Sequence, residues 1–174
     1  MSQSSEPATE AESQTGVIRL DSIAGFINQS TPLIDAGLRS INIISQDLNR
    51  PWLGNEAVVS ALKQFILTNR RAQMRLLIAQ TTHALKTDHP LVPLIKKLSR
   101  IEARIIEPEI LEKEPINCEF ILVDRGGVVI RQKLDNYIGF AHTDDKTSVK
   151  SLQSSFDQYW RYSQPSPELR YFSI

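Results

Sequence analysis

One candidate for chemistry is the run His142-Thr143-Asp144-Asp145. Imidazole and carboxylate groups together suit several divalent metal ions, so His142 with Asp144 and Asp145 could serve a phosphodiesterase or a metal-dependent hydrolase. A solvated polar loop after a strand is the simpler interpretation of the same residues. We therefore keep the hydrolase as an alternative function and expect neither a metal nor a cofactor.

A second candidate is the loop flanked by His83 and His89, between a predicted strand and a predicted helix. Parallel sheets bind ligands where their strands end, so a small ligand could lie there. A solvated loop before a helix headed by Pro90 is the simpler interpretation. The sequence contains no Gly-x-Ser-x-Gly elbow and no Walker or dinucleotide glycine motif, so it gives no support to those three chemistries.

Basic residues predominate between Arg39 and Arg104, where only four acidic residues oppose them. The two densest groups lie near the carboxyl ends of predicted helices, where the helix dipole favours cations, and this alone could explain them. The alternative is a face that binds the phosphates of nucleic acid. The candidate phosphate-binding residues are Arg70, Arg71, Lys96, Lys97 and Arg100.

The elements that would position these residues alternate between strands and helices. β-branched and helical spacings predict a strand at Ser40–Ser45, a helix from Asn55 to Asn69, a strand at Met74–Ala79, a helix at Leu91–Leu98 and a strand at Ile101–Ile106. Such alternation predicts βαβ units, and hence a parallel sheet with right-handed crossovers. Before them, a short strand at Ile18–Leu20 and a helix that begins at Asp21 or Ser22 and breaks at Pro32 are expected.

The pattern changes past Pro108. Asp124-Arg125-Gly126-Gly127 lies between two apolar runs and predicts a hairpin, because paired glycines supply the positive φ angles of a tight turn. A short strand near Tyr137 to Ala141 and a helix from Thr147 to Tyr162 follow. The predicted fold is α/β, a single domain with a mixed, mainly parallel sheet flanked by helices.

Composition bounds the class of protein. The chain has 174 residues with twenty basic and twenty acidic side chains, so total charge points to no partner. Residues 1–16 lack large apolar side chains and are predicted to be a disordered tail before a domain at 17–174. Without a signal-peptide core or a membrane-length apolar run, the chain is expected in the cytoplasm and not in a membrane. The single Cys118 is expected to pack as a small hydrophobe.

The stretch from Asn117 to Asp124, then a glycine turn, a strand and Gly139-Phe140-Ala141-His142, resembles the phospholipase D-like superfamily. Its members carry His-x-Lys-x-x-x-x-Asp on a strand and then Gly-Ser/Thr-x-Asn. The order of elements from Ser40 to Tyr162 is similar too. The chain also looks similar to uncharacterised bacterial domains of this superfamily, sometimes attached to an acyltransferase. The resemblance implies a phospholipase D-like fold.

Residue by residue, the resemblance places the motif histidine on Asn117, the lysine on Glu119 and the aspartate on Asp124, while the second motif keeps Gly139 and has His142 at its asparagine position. A carboxamide is no nucleophile, because its nitrogen lone pair is delocalised into the carbonyl. A glutamate repels the phosphoryl group that a lysine would neutralise. The resemblance therefore implies a degenerate, non-catalytic member.

These observations lead to competing functions. The leading hypothesis is a binding or regulatory module that forms a homodimer, since the superfamily normally combines two motifs in one active site and this chain has one. The alternatives are nucleic-acid binding through the basic face and the hydrolase built on His142. The segment from Pro165 to Ile174 is apolar enough to dock on the body of the domain or on a protein partner.

Overall fold

The computed structural model describes residues 16–170 of the chain, which form one sheet with helices on both faces. The strands are β1 (Val17–Leu20), β2 (Ser40–Ser45), β3 (Gln73–Ile78), β4 (Ile101–Ile106), β5 (Glu119–Val123), β6 (Gly127–Arg131), β7 (Gly139–His142) and β8 (Ser163–Pro165). The helices are α1 (Ile23–Asp35), α2 (Arg50–Leu53), α3 (Glu56–Thr68), α4 (Thr82–Lys86), α5 (Leu91–Lys97), α6 (Pro108–Lys113) and α7 (Lys146–Arg161). The predicted disordered tail, except Gly16, and residues 171–174 lie outside the described residues.

The sheet has the strand order β1-β7-β6-β5-β2-β3-β4-β8. The predicted α/β class and the mixed sheet are confirmed, but the sheet is not mainly parallel. Parallel pairing is confined to β2, β3 and β4, where helical crossovers return the chain to the same edge. The other neighbouring strands are antiparallel. Two of these pairs, β5–β6 and β6–β7, follow from connections that are too short for a crossover.

α1 continues through Pro32 to Asp35, so the predicted break at Pro32 is wrong. A proline inside a helix costs about 3 kcal/mol, because it lacks the backbone N–H and crowds the preceding turn. Phe26, Leu33 and Ile34 of this helix are buried, and burying each such side chain contributes about 1.5–3 kcal/mol. Burial on both sides of Pro32 therefore outweighs the cost of the proline.

The β5–β6 hairpin is confirmed, although its turn differs from the prediction. The positive φ angles belong to Arg125, at 74°, and Gly126, at 92°. Gly127 already belongs to β6, where it lies opposite Val123. A Cβ atom on Gly127 would lie 3.1 Å from Leu33 Cγ, so this glycine permits close packing of α1 on the sheet.

The two faces of the sheet have separate apolar cores. Phe26, Trp52 and Leu62 belong to the core under α1, α2 and α3. Phe120 and Phe156 belong to the core under α7. No helix between residues 16 and 170 combines the length and apolar character that crossing a bilayer requires.

The segment after α7 docks on the body of the domain as far as it is described. β8 pairs with β4 and is the last strand of the sheet, with Ser163 opposite Ile106. Leu169 is buried in the core, and Thr81 Oγ1 donates a hydrogen bond of 3.1 Å to Glu168 Oε2. Residues 163–170 therefore dock on the body of the domain, which was one of the two alternatives for this segment.

The two edges of the sheet have different chemistry. We call the edge where β2, β3 and β4 end the carboxyl edge, and the edge where they begin the amino edge. β5 is antiparallel to β2, so it begins at the carboxyl edge with Glu119 and reaches the amino edge next to Asp124.

Candidate functional site

A row of polar and small residues crosses four neighbouring strands at the carboxyl edge. Ser45 ends β2, Glu119 begins β5, Arg131 ends β6 and Gly139 begins β7. Glu119 lies opposite Arg131, and Arg131 lies opposite Gly139. A Cβ atom on Gly139 would lie 1.7 Å from the backbone oxygen of Ile130, so no larger residue fits this position.

Glu119 is completely buried, and its carboxylate is fully hydrogen-bonded. It accepts hydrogen bonds from Ser45 Oγ, from the Gln46 backbone N–H at 3.0 Å and from Asn49 Nδ2 at 3.1 Å. Arg131 Nη1 lies 2.5 Å from Glu119 Oε1 and forms an ion pair with it. These four donors match the lone pairs of an ionised carboxylate. We call these five residues the carboxylate pocket.

Arg131 is equally well satisfied. Its Nε donates to the backbone oxygen of Asn136 at 2.6 Å, and its Nη2 donates to that of Leu134 at 2.5 Å. The guanidinium also lies 4.5 Å from the ring centroid of Tyr137. A buried ion pair is tolerated only when further hydrogen bonds satisfy both ions, and this pair meets that condition.

The loop after β2 has unusual backbone geometry beside the carboxylate pocket. Leu48 has φ 68° and Asn49 has φ 27°, both in the left-handed region that side chains rarely adopt. Asn49 Oδ1 accepts hydrogen bonds from the Trp52 N–H and the Tyr137 hydroxyl, both at 3.2 Å. Because Asn49 also donates to Glu119, the same network that neutralises the carboxylate holds this strained loop.

His89 holds the loop through a hydrogen bond to its backbone. It is completely buried, its Nε2 donates to the Leu48 backbone oxygen at 2.9 Å, and its Nδ1 accepts from the Leu91 N–H at 3.1 Å. Burial lowers the pKa of His89, and nearby Arg50 lowers it further. The solvated interpretation is therefore wrong for His89, which is a neutral core residue, whereas His83 is exposed.

A cleft of about 200 Å³ opens beside the carboxylate pocket. Its charged lining consists of two carboxylates, Asp47 and Glu119, and two guanidinium groups, Arg50 and Arg131. An anion in this cleft would meet as many carboxylates as guanidinium groups, so the cleft lacks the net positive charge that holds a transferring phosphoryl group.

The motif positions from the resemblance separate into two sets. Asn117, exposed and directly before β5, lies at the carboxyl edge with Glu119 and Gly139. Asp124 lies at the amino edge, where its Oδ1 accepts the Leu38 N–H at 2.9 Å. His142 ends β7 opposite Val128, also at the amino edge. The structure therefore does not bring His142 or Asp124 to the carboxylate pocket.

The acidic residues after His142 have structural contacts. Asp145 caps α7 by accepting the Ser148 N–H at 3.0 Å, and hydrogen bonds from Ser148 lower the pKa of Asp145. The Asp144 N–H donates to His142 Nδ1 at 2.9 Å. Between residues 16 and 170, no group of three or more histidine, cysteine or acidic side chains is placed to hold a metal ion.

The basic residues divide into occupied and exposed side chains. Arg100 donates to the backbone oxygens of Ile66, Asn69 and Ala72, so its guanidinium is used within the fold. Arg70, Arg71 and Lys97 are exposed, and Lys96 is half-buried. All of them lie at the amino edge, since they precede β3 or β4.

Two further arginines of the basic stretch contact α7. Arg75 lies 5.0 Å and Arg104 lies 4.4 Å from the ring centroid of Trp160. Arg75 also forms an ion pair with Asp157 at 3.6 Å. These contacts help to hold α7 on its face of the sheet and leave both arginine side chains only partly exposed.

Arg131, Ser45, Asn49 and Tyr137 were not predicted as site residues. The hairpin turn could have indicated Arg131, because a turn fixes the register of its two strands and so places Glu119 opposite Arg131. Nothing in the local sequence marks Asn49 or Tyr137, which reach the pocket from separate loops.

The fold is similar to that of proteins with different roles. TrmBL2, an archaeal chromatin protein whose structure "shows a novel mode of DNA binding", is 12% identical with a TM-score of 0.62, over 93% of this chain and 57% of that chain. NucT from Helicobacter pylori is 12% identical with a TM-score of 0.62, over 86% of this chain and 99% of its own. Nuc from Salmonella typhimurium, a phospholipase D family member, is 15% identical with a TM-score of 0.58, over 86% of this chain and 97% of its own.

Such low identities show the fold alone, and the phospholipase D-like fold implied by the motifs is confirmed. This chain spans little more than half the length of TrmBL2. No curated protein matches the sequence. Residues 23–172, most of the chain, match the family described as a domain of unknown function, DUF7931. The chain therefore belongs to the DUF7931 family and has a phospholipase D-like fold.

Proposed function

We propose that this chain is a phospholipase D-like domain that acts by binding and does not transfer phosphodiesters. The observation that carries the proposal is Glu119. The resemblance assigns this position to the phosphate-binding lysine, and here it is a buried carboxylate neutralised by Arg131. The phospholipase D-like fold is kept, while a carboxylate replaces the positive charge that would neutralise a transferring phosphoryl group.

The energetics of the pocket oppose phosphate binding. Arg131 would have to leave Glu119 to meet a phosphate, and breaking a buried ion pair costs about 3–5 kcal/mol. The carboxylate left behind would then repel the phosphate at short range. Asn117, at the histidine position, offers a carboxamide that cannot attack phosphorus.

Steady-state hydrolysis of bis(p-nitrophenyl) phosphate tests the proposal, with and without added divalent metal ions. We expect no turnover above the buffer rate. Turnover that disappears in Asn117→Ala would contradict the proposal and establish a phosphodiesterase at the carboxyl edge. Turnover that disappears in His142→Ala would instead support the metal-dependent hydrolase.

The proposed module works as a cytoplasmic homodimer. Support for the dimer is the single motif in each chain, which makes half of the two-motif site that the resemblance implies. Multi-angle light scattering of the purified protein should give the mass of two chains. A strict monomer at high concentration would contradict the dimer without affecting the loss of catalysis.

Nucleic acid is the second candidate, as the ligand of this module. The exposed arginines and lysines of the amino edge favour it, and TrmBL2, a similar fold, binds DNA according to its description. Salt-sensitive binding to single- or double-stranded DNA or RNA is expected. Absence of binding to every strand type would leave a protein as the partner.

A further inference from the structure

Each of the three parallel strands is preceded by exposed or half-buried cations. Arg39 comes directly before β2, Arg70 and Arg71 come before β3, and Lys96 and Lys97 end α5 before β4. Arg39, like Arg70 and Arg71, is exposed. We call these five residues the basic row. They form a continuous positive feature only if the three segments lie side by side.

Backbone hydrogen bonds show that the segments do so. The Gln73 N–H donates to the Arg39 backbone oxygen at 2.9 Å, and the Met74 N–H donates to the Arg100 backbone oxygen at 3.0 Å. Neighbouring strands are about 4.8 Å apart, so three strands place the row over about 10 Å. That length spans at least two phosphates of one nucleic-acid strand.

Arg100 fixes the middle of the row. Its Nη1 donates to the backbone oxygens of Asn69 and Ala72, the latter at 3.1 Å, and its Nη2 donates to that of Ile66 at 2.5 Å. These bonds close the turn that carries Arg70 and Arg71. Arg100 is therefore a positioning residue, and the neighbouring arginines are the ones that face solvent.

The opposite edge carries a group of acidic residues. Glu107, Glu109, Glu112 and Glu114 lie in or beside α6, directly after β4 ends at the carboxyl edge. The ion pairs among the described residues join Arg75 to Asp157, Arg104 to Glu102 and Arg131 to Glu119, so none of them involves the basic row. The chain is neutral in total, but these glutamates and the basic row lie at opposite edges of the sheet.

The amino edge also contains carboxylates: Asp35 ends α1 before β2, Asp124 follows β5, and Asp144 and Asp145 follow β7. Asp124 Oδ1 accepts the N–H groups of Leu38 and Ser40, at 2.9 and 3.4 Å, and Asp145 caps α7. In the described part of the chain, none of these carboxylates forms an ion pair with the basic row.

We propose that the basic row binds the phosphate backbone of nucleic acid, at the edge of the sheet opposite the carboxylate pocket. The inference rests on the nucleic-acid candidate above and gives it a surface and an orientation. A polyanion is attracted to the amino edge and repelled by the glutamates of the carboxyl edge. Contacts to phosphates carry no sequence information, so binding is independent of sequence.

Fluorescence anisotropy of a labelled DNA duplex tests the surface. The logarithm of the association constant should fall with the logarithm of salt concentration at a slope of about −2 or steeper, as expected for at least two phosphate contacts. Arg70→Glu/Arg71→Glu and Lys96→Glu/Lys97→Glu should each weaken binding at least about tenfold at low salt. Lys86→Glu/Lys113→Glu, which makes the same charge change at exposed positions of the carboxyl edge, should retain the wild-type affinity.

The outcomes distinguish a wrong binding surface from a wrong function. If all three double variants lose affinity equally, or if none of them loses affinity, the basic row is not the binding surface. Nucleic-acid binding itself would then still stand. No binding by the wild-type protein would overturn the function itself. Salt-sensitive self-association without DNA binding, abolished in the row variants, would assign the row to the acidic edge of a second copy. Thermal melts of all variants check that each one folds.

Discussion

Glu119, which the resemblance assigns to the phosphate-binding lysine position, lies opposite Arg131 in the β5–β6 hairpin. Both are buried, and each carries hydrogen bonds from or to residues of other strands and loops. Two buried ions cost several kcal/mol each in lost hydration, and their pairing returns this only with full hydrogen bonding. The pair therefore closes the pocket without adding much stability.

Removing one ion of this pair should be costly. Glu119→Gln leaves the Arg131 charge buried without a counter-ion, and we expect the free energy of unfolding to fall by about 3 kcal/mol. Glu119→Leu/Arg131→Met removes both charges and should be less destabilising than Glu119→Gln. Urea denaturation of the three proteins measures this. A Glu119→Gln protein as stable as wild type would show that the pair is solvated.

His89 should make stability depend on pH. Burial lowers its pKa below the ordinary value of 6.5, so below that pH the unfolded state binds a proton that the folded state does not. Stability is then full above about pH 6.5 and is lost as pH falls from 6.5 toward the pKa of the folded state.

Urea denaturation at about pH 7.5 and pH 5 measures this loss, with variants as internal references. His89→Gln should lose less stability than wild type between the two pH values, and His83→Gln, at an exposed position, should behave as wild type. Equal pH dependence in wild type and His89→Gln would show that His89 is protonated in the fold.

At the scale of elements, local patterns predicted most of the strands and long helices. The β-branched run at Ser40–Ser45 and the helical spacing after Asn55 are confirmed, since the strand is buried along nearly its whole length and the helix along one face. The predicted helix break at Pro32 was wrong, because burial of side chains on both sides of the proline keeps the helix intact. β8 and the ion pair of the carboxylate pocket could not be predicted, since they depend on contacts between segments far apart in sequence.

Arg100 links two elements, and its loss should show in stability. Arg100→Gln leaves carbonyl groups at the end of α3 without their charged donor, and hydrogen bonds to charged groups contribute about 1.5–3 kcal/mol each. We expect a loss of about 2–3 kcal/mol in the free energy of unfolding, measured by denaturant titration. Arg71→Gln, on the same turn but exposed, should change it by less than about 0.5 kcal/mol. Equal effects would mean that Arg100 does not hold the turn.

At the scale of the whole molecule, one fold combines a neutralised pocket with a basic row at one edge of the sheet and a group of glutamates at the other. The sequence alone indicated the fold, because it depends on local spacing, and the loss of the motif residues stays a prediction. The separation of charge between the edges appears only when the strands are ordered, since the acidic segment follows β4 and the cations precede the strands. A fold similar to those of a phospholipase D family member and an archaeal chromatin protein thus indicates no function by itself.

The most direct test of binding without catalysis uses a DNA duplex labelled with a donor and an acceptor fluorophore at its two ends. Anisotropy reports binding, and energy transfer reports whether the duplex stays intact, in the same sample. We predict that anisotropy rises at low salt while energy transfer stays constant over hours. A loss of energy transfer that Asn117→Ala abolishes would contradict the account, because the carboxylate pocket would then be catalytic.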